Sequence, residues 1–118
     1  MNKIAEGLSC SSKNEAEGIF KFIESVEDVI GLFDSAKGKI CLVEDSGTTT
    51  LGPILSDLEG VLCTTGSGGS HLAIVSREFE IPCIMGLNIQ KEKILKLNDK
   101  KVKMITKGDN KGILYSID

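Results

Sequence analysis

Short blocks of apolar residues recur along the chain, and their spacing predicts alternating strands and helices. In a first segment, Ile4 to Ile23, punctuated by Gly7 and Gly18, the run Gly18-Ile19-Phe20-Lys21-Phe22-Ile23 reads as a strand. Ser25 then stands where a helix N-cap belongs, with Glu27 and Asp28 in the first turn. Val26, Val29, Ile30 and Phe33 follow at helical spacing, which predicts that this face packs on a sheet. Lys39-Ile40-Cys41-Leu42-Val43 is nearly all apolar, the mark of a strand covered on both faces. A Ser/Thr-rich loop, Asp45 to Gly52, leads to a short predicted helix from Pro53 through Leu58, ended by Gly60.

Val61-Leu62-Cys63-Thr64 predicts the next buried strand, and the glycine-rich turn Gly66-Ser67-Gly68-Gly69 leads into a helix beginning near Ser70. Its expected inward stripe is Leu72, Val75, Ser76 and Phe79, with Arg77 and Glu78 on the flanks. Ile81-Pro82-Cys83-Ile84-Met85 predicts another strand, with Pro82 at its start, where a missing donor does least harm. The remainder reads as a connecting segment and two strands, Lys101 to Thr106 and Gly112 to Ile117, turned at Gly108-Asp109-Asn110. Strands alternating with helices predict an α/β layered domain.

Composition narrows the function classes. The 118 residues suit one compact domain, taken as residues 1–118, able to bury a core without metal or disulfide staples. With a formal charge of −3, four Phe, one Tyr and no Trp, the chain shows neither a basic stripe nor a stacking platform for nucleic acid. No apolar run approaches the roughly 20 residues of a membrane helix, and Met1 to Cys10 lacks the apolar core of a secretory signal. Cys10, Cys41, Cys63 and Cys83 are widely spaced without a C-x-x-C pair, so they read as reduced, buried thiols of a cytoplasmic protein rather than a zinc site.

The unit that carries chemistry is strand, glycine-rich turn, Ser-His, helix. The first N–H groups of a helix have no intrahelical partner, and the dipole leaves partial positive charge there. Glycines before it let further N–H groups converge, which makes a cradle for anions, phosphate above all. His71, the single histidine, stands in that cradle. A neutral imidazole is a good nucleophile near neutral pH, and the positive helix end disfavours its protonated form. Ser70, Ser67, Thr64 and Thr65 are candidate donors to phosphoryl oxygens, and Arg77, about two turns along, is a candidate partner of the phosphoryl group or of the donor substrate. Neither the dinucleotide fingerprint nor a Walker A lysine is present, and adjacent Ser70 and His71 diverge rather than pair as a hydrolase dyad would. Spacing alone leaves His71 open between a catalytic and a structural role.

The run from Thr65 through Gly86 resembles the phosphohistidine signature of the mobile domain of the phosphoenolpyruvate (PEP)-utilising enzymes. That family includes pyruvate phosphate dikinase, phosphoenolpyruvate synthase, enzyme I of the sugar phosphotransferase system and the rifampin phosphotransferases. Ser70, His71, Ala73, Ile74, Arg77, Glu78, Ile81, Pro82 and Gly86 match its pattern. Gly38 to Val43, Thr48-Thr49-Thr50 and Leu58-Glu59-Gly60-Val61 resemble the approach to the site, and Leu8 to Gly18 and the final strands resemble the domain's ends. The resemblance implies a swivelling β/β/α phosphohistidine domain. Its histidine, at Nε2 in the dikinase branch, takes a phosphoryl group at one active site and gives it up at another.

It further implies a phosphate site of Thr65, Gly66, Ser67, Gly68, Gly69, Ser70 and Arg77 around His71, with no metal or cofactor on the domain itself. Mg2+ with ATP or PEP is expected on partner domains or subunits, an ATP-grasp nucleotide-binding unit, a PEP- or acceptor-binding unit, or both. Two positions depart from the family pattern: Gly69 replaces a Thr that carries regulatory phosphorylation in pyruvate phosphate dikinase, and Ser67 replaces a glycine. The expectation is a phosphocarrier acting in trans or a domain of a longer enzyme, with Met1 and the domain ending at Asp118 favouring the first. The alternative is a swivelling-fold module that binds an anionic ligand or partner protein without being phosphorylated.

Overall fold

The structure is a computed structural model that describes residues 2–10, 15–44, 51, 54–65, 71–106 and 111–117, with His71 described in its backbone only. The elements in chain order are β1 (Asn2–Ser9), β2 (Glu15–Phe22), α1 (Val26–Ile30), β3 (Lys39–Val43), a single 3-10 turn (Leu55–Asp57), β4 (Gly60–Cys63), α2 (His71–Glu78), β5 (Cys83–Met85), α3 (Lys91–Leu97), β6 (Lys101–Ile105) and β7 (Lys111–Ser116). Strands β2, β3, β4 and β5 lie side by side and parallel, with Phe20 opposite Ile40 and Leu42 opposite Leu62. Antiparallel pairings of β6 with β2, β7 with β6, and β1 with both β7 and β5 carry the sheet round into a closed barrel.

Because side chains alternate across a strand, the apolar runs feed two cores at once. Ile40, Leu42, Leu62 and Ile84 fill the barrel with Phe20, Val102, Met104 and Leu114, and Ile94 and Leu97 of α3 join them. Their neighbours Cys41, Val43, Val61, Cys63, Cys83 and Met85 point outward into a second core under the helices. Val29, Leu32 and Ala36 from α1 and its following turn, and Leu72 and Ala73 from α2, close that layer. The result is the α/β architecture expected, with the sheet rolled shut.

Space inside this wall is tight. A Cβ placed on Gly7 would stand 2.6 Å from the carbonyl oxygen of Met85 and 3.1 Å from the Cα of Leu87, so β1 reaches β5 only because residue 7 has no side chain. The β1–β7 seam is tied on its outer side by Lys111, whose Nζ lies 2.9 Å from the Glu6 carboxylate. That contact, and then Lys3, hold the Glu6 carboxyl below its ordinary range.

Several expectations are corrected. Ser25 does precede α1, and the Asp28 carboxylate accepts hydrogen bonds from the N–H groups of Glu24 (2.8 Å) and Ser25 (3.2 Å). The buried side, however, is Val29, Leu32 and Ala36, while Val26, Ile30 and Phe33 are 59%, 55% and 52% exposed. Apolar residues occupy two flanks of this segment, so spacing could not say which one faces the sheet. In α2 Phe79 is likewise exposed, because the helix stops at Glu78 and the chain turns away; Ala73 takes the inward place. Gly60 opens β4 rather than ending a helix, and the expected helix before it is one 3-10 turn. β1 and α3 are additions to the predicted elements. The expected loop over 45–50 and 52, Pro53 and the turn at 108–110 lie outside the described residues.

Candidate functional site

The carboxyl ends of the four parallel strands lie along one edge of the sheet, where ligands are bound in open α/β folds. Glu24 follows β2, Glu44 follows β3, Thr64 and Thr65 follow β4, and Gly86 follows β5. Backbone bonds knit these ends together. Thr64 N–H donates to Val43 (3.3 Å), Gly86 N–H to Thr65 (3.3 Å) and Leu87 N–H to Cys63 (2.9 Å). The Thr65 hydroxyl donates to the Glu44 carbonyl at 2.9 Å, and Gly86 makes the turn over it with a φ of +60°. His71 is the first residue of α2. As the crossover between parallel β4 and β5, α2 runs back along the sheet, so its positive end starts from this edge.

The glycine-rich cradle, Gly66 through Ser70, and the side chain of His71 lie outside the described residues. What the structure places around them is the anchored Thr65 on one side and α2 on the other. Leu72, Ala73 and Ser76 are buried and pin the helix against the sheet. Ile74, one turn beyond His71, is 44% exposed. Arg77 stands six residues from His71, about 9 Å of helix rise, and its charge acts on the thiols of Cys10 and Cys83.

Spacing gave no sign of a charged cluster on the same edge. Lys91, the first residue of α3, places Nζ 3.2 Å from Glu44, 3.9 Å from Glu24 and 4.8 Å from the centre of the Phe22 ring. Glu44 directly follows β3 and Glu24 comes two residues after β2, so the rule that ligands gather at the carboxyl ends of parallel strands would have singled them out. All three are half exposed, and such pairs contribute little to stability.

Beneath the site is a layer of sulfur. Cys10 N–H donates to the Cys83 carbonyl at 2.9 Å, which sets the two residues opposite each other. The Cys83 thiol lies 3.5 Å from the Met85 sulfur, and the Cys63 thiol lies 3.7 Å from the Thr65 hydroxyl. All four cysteines are free and buried. Burial pushes the Cys41 and Cys83 thiols up to about 12, and the neighbouring Cys10 adds to the effect on Cys83. Burial also raises Cys10, against an opposing pull from Arg77. The fully buried Ser76 hydroxyl lies beside the Cys83 thiol and, as a hydrogen-bonding neighbour, pulls it down against the larger effect of burial, though no contact of full hydrogen-bond geometry is formed. Among the described residues no group of three or more His, Cys, Asp or Glu side chains is set to hold a metal ion, and no helix is long and apolar enough to cross a membrane.

An MccF-like protein from Bacillus anthracis str. Ames has a similar crystal structure, with a TM-score of 0.53 at 15% identity, covering 94% of this chain and 43% of that one. This is a likeness of fold alone. The N-terminal domain of Enzyme 1 - Nitrogen gives a TM-score of 0.49 at 21% identity, covering 69% of this chain and 32% of that one, too loose to bear on the argument. The chain thus spans less than half the length of either structure. No curated protein matches it. The family described as PEP-utilising enzyme, mobile domain, matches residues 35–107, from the turn before β3 to just past β6, and the chain belongs to that family.

Proposed function

We propose that this domain carries a phosphoryl group on His71 between a donor site and an acceptor site held by partner domains or subunits in the cytoplasm. The observation that carries the reading is His71 as the opening residue of α2, at the carboxyl edge of the parallel strands, in a chain of the PEP-utilising mobile-domain family. A lone pair on the neutral imidazole attacks phosphorus, the N–P bond forms, and the P–O bond to the leaving group breaks with its electrons going to that group. Discharge is the reverse displacement by an acceptor. The N–H groups that open α2, which have no intrahelical partner, and the cradle of residues 66–70 stabilise the oxygens of the bound phosphoryl group. Thr65, its hydroxyl held by Glu44, fixes one end of that cradle rather than reaching for the phosphate. Arg77 belongs to the far end of the helix and serves the partner or its substrate. Mg2+ and the nucleotide or PEP site belong to an ATP-grasp or PEP-binding partner.

The test is transfer of labelled phosphate from ATP or PEP, with Mg2+ and candidate partner subunits. The expected product is an acid-labile, base-stable phosphate on the wild-type chain and none on His71→Ala. Label on another residue, or tight phosphate binding without covalent modification, overturns the carrier reading; the second result favours the non-phosphorylated anion-binding module.

A further inference from the structure

We propose that the outward face of α1 is a docking site for a protein partner that offers an apolar groove rimmed by Lys and Arg. Val26 and Ile30 of α1 and Phe33 in the turn that follows it give a stripe of apolar positions at i, i+4 and i+7 of the sequence, and each is more than half exposed. That is the spacing of apolar anchors in groove-bound segments, here spread over one helical turn and the turn after it. The stripe is not needed for folding, because Val29, Leu32 and Ala36 already hold the segment on the sheet.

Charge identifies the occupant. From Glu24 to Asp34 the chain carries Glu24, Glu27, Asp28 and Asp34 and no Lys or Arg. Among the described residues the basic groups beside this segment are Lys37, which follows Ala36 in the chain, and Lys91, which is 3.9 Å from Glu24 and closer to Glu44. Lys21, at the end of β2, is taken up by Asp99 at 2.6 Å. An acidic rim repels nucleic acid and anionic membrane surfaces. It also opposes a second copy, since a two-fold contact sets the same patch against itself and brings like charges together. A protein with a basic rim and an apolar floor satisfies both halves of the surface.

Position gives the docking a use. α1 and α2 cover the same side of the sheet and both follow parallel strands, so their N-termini rise from one edge. A protein seated on α1 is therefore held beside the edge where His71 begins α2. This tethering role rests on the carrier reading above, whereas the docking does not.

The experiment is an amide NMR titration of the intact chain with three designed helical peptides of one length: Leu/Lys amphipathic, Leu/Glu amphipathic, and Ala/Lys. The Leu/Lys peptide is expected to shift amides of residues 24–36 and to bind about tenfold or more tightly than either other peptide. The exposed-site variant Ile30→Ser/Phe33→Ser, with its remaining spectrum unchanged, is expected to lose that advantage, and Glu27→Lys/Asp34→Lys to turn the preference toward the Leu/Glu peptide. Equal binding of the Ala/Lys peptide, shifts centred elsewhere, or no binding overturns the proposal. So does a dimer of the chain in sedimentation equilibrium that Ile30→Ser/Phe33→Ser dissolves. His71→Ala is run in parallel: it is expected to keep the peptide shifts, so loss of docking and loss of phosphorylation are read separately.

Discussion

Ser76 sits under α2 with its hydroxyl sealed from water and facing a thiol that stays protonated. A buried hydroxyl without a formed hydrogen bond carries a desolvation cost that alanine, which lacks the oxygen, does not. Ser76→Ala is expected to raise stability by about 1 kcal/mol, read as a higher urea midpoint at an unchanged slope. Gly7 is the opposite case: an added methyl meets the backbone of Met85 and Leu87, which cannot swing away as a side chain would. Gly7→Ala is expected to cost about 1–3 kcal/mol by the same measurement. Sequence reading placed Gly7 as punctuation, and nothing local reveals that residue 85 will pass so close. His71 is the contrasting residue, since its glycine-rich approach and the Ser-His-x-Ala-Ile run are local and legible.

The end of α2 shows how an element can be right in kind and imperfect in detail. Glu80 N–H bonds to Arg77 and Ile81 N–H to Ser76, the paired bonds of a Schellman turn, with Glu80 at a φ of 57°. Glycine is the residue suited to that conformation, and a residue with a Cβ is strained in it. Glu80→Gly is expected to raise the stability by about 0.5–1 kcal/mol, seen as a higher unfolding temperature. β2 to β5 were legible because their apolar runs are compact. α3 was not, since Lys91–Leu97 buries Ile94 and Leu97 among charged neighbours, too few for a period to emerge. β1 is mostly exposed or half-buried, and its sequence alternates only weakly. α1 was located by its cap, but its face was misread because a second apolar stripe competes with the buried one.

Across the whole molecule, the two cores share one wall of strands, and the cysteines all lie in the layer beneath the helices. At pH 8 a maleimide reagent is expected to label none of the four in the native chain within the time that urea-unfolded chain takes to react fully. Cys41 and Cys83 also set an alkaline limit. Their folded values are raised from 9.0 to about 12, so their contribution is fully present below pH 9.0 and is lost as the pH rises toward 12. Cys41→Ala/Cys83→Ala is expected to flatten that limb of the stability profile, whatever it costs at neutral pH. Rolling of the sheet was the part of the architecture that sequence could not display, because it depends on pairings such as Asn2 with Ser116 that no window of residues contains.

That seam has a consequence for how the domain comes into being. Asn2 to Leu8 find their registered partners in the segment from Lys111 to Ser116, so the first of these seven strands is locked by the seventh. A ribosome that has delivered everything through β6 holds a chain whose parallel half can assemble but whose first strand still lacks one of its two neighbours. Until β7 emerges, two strand edges stand open to the surroundings, and closure is a long-range event of the kind that slows folding. The barrel therefore closes only once β7 is available to both β6 and β1.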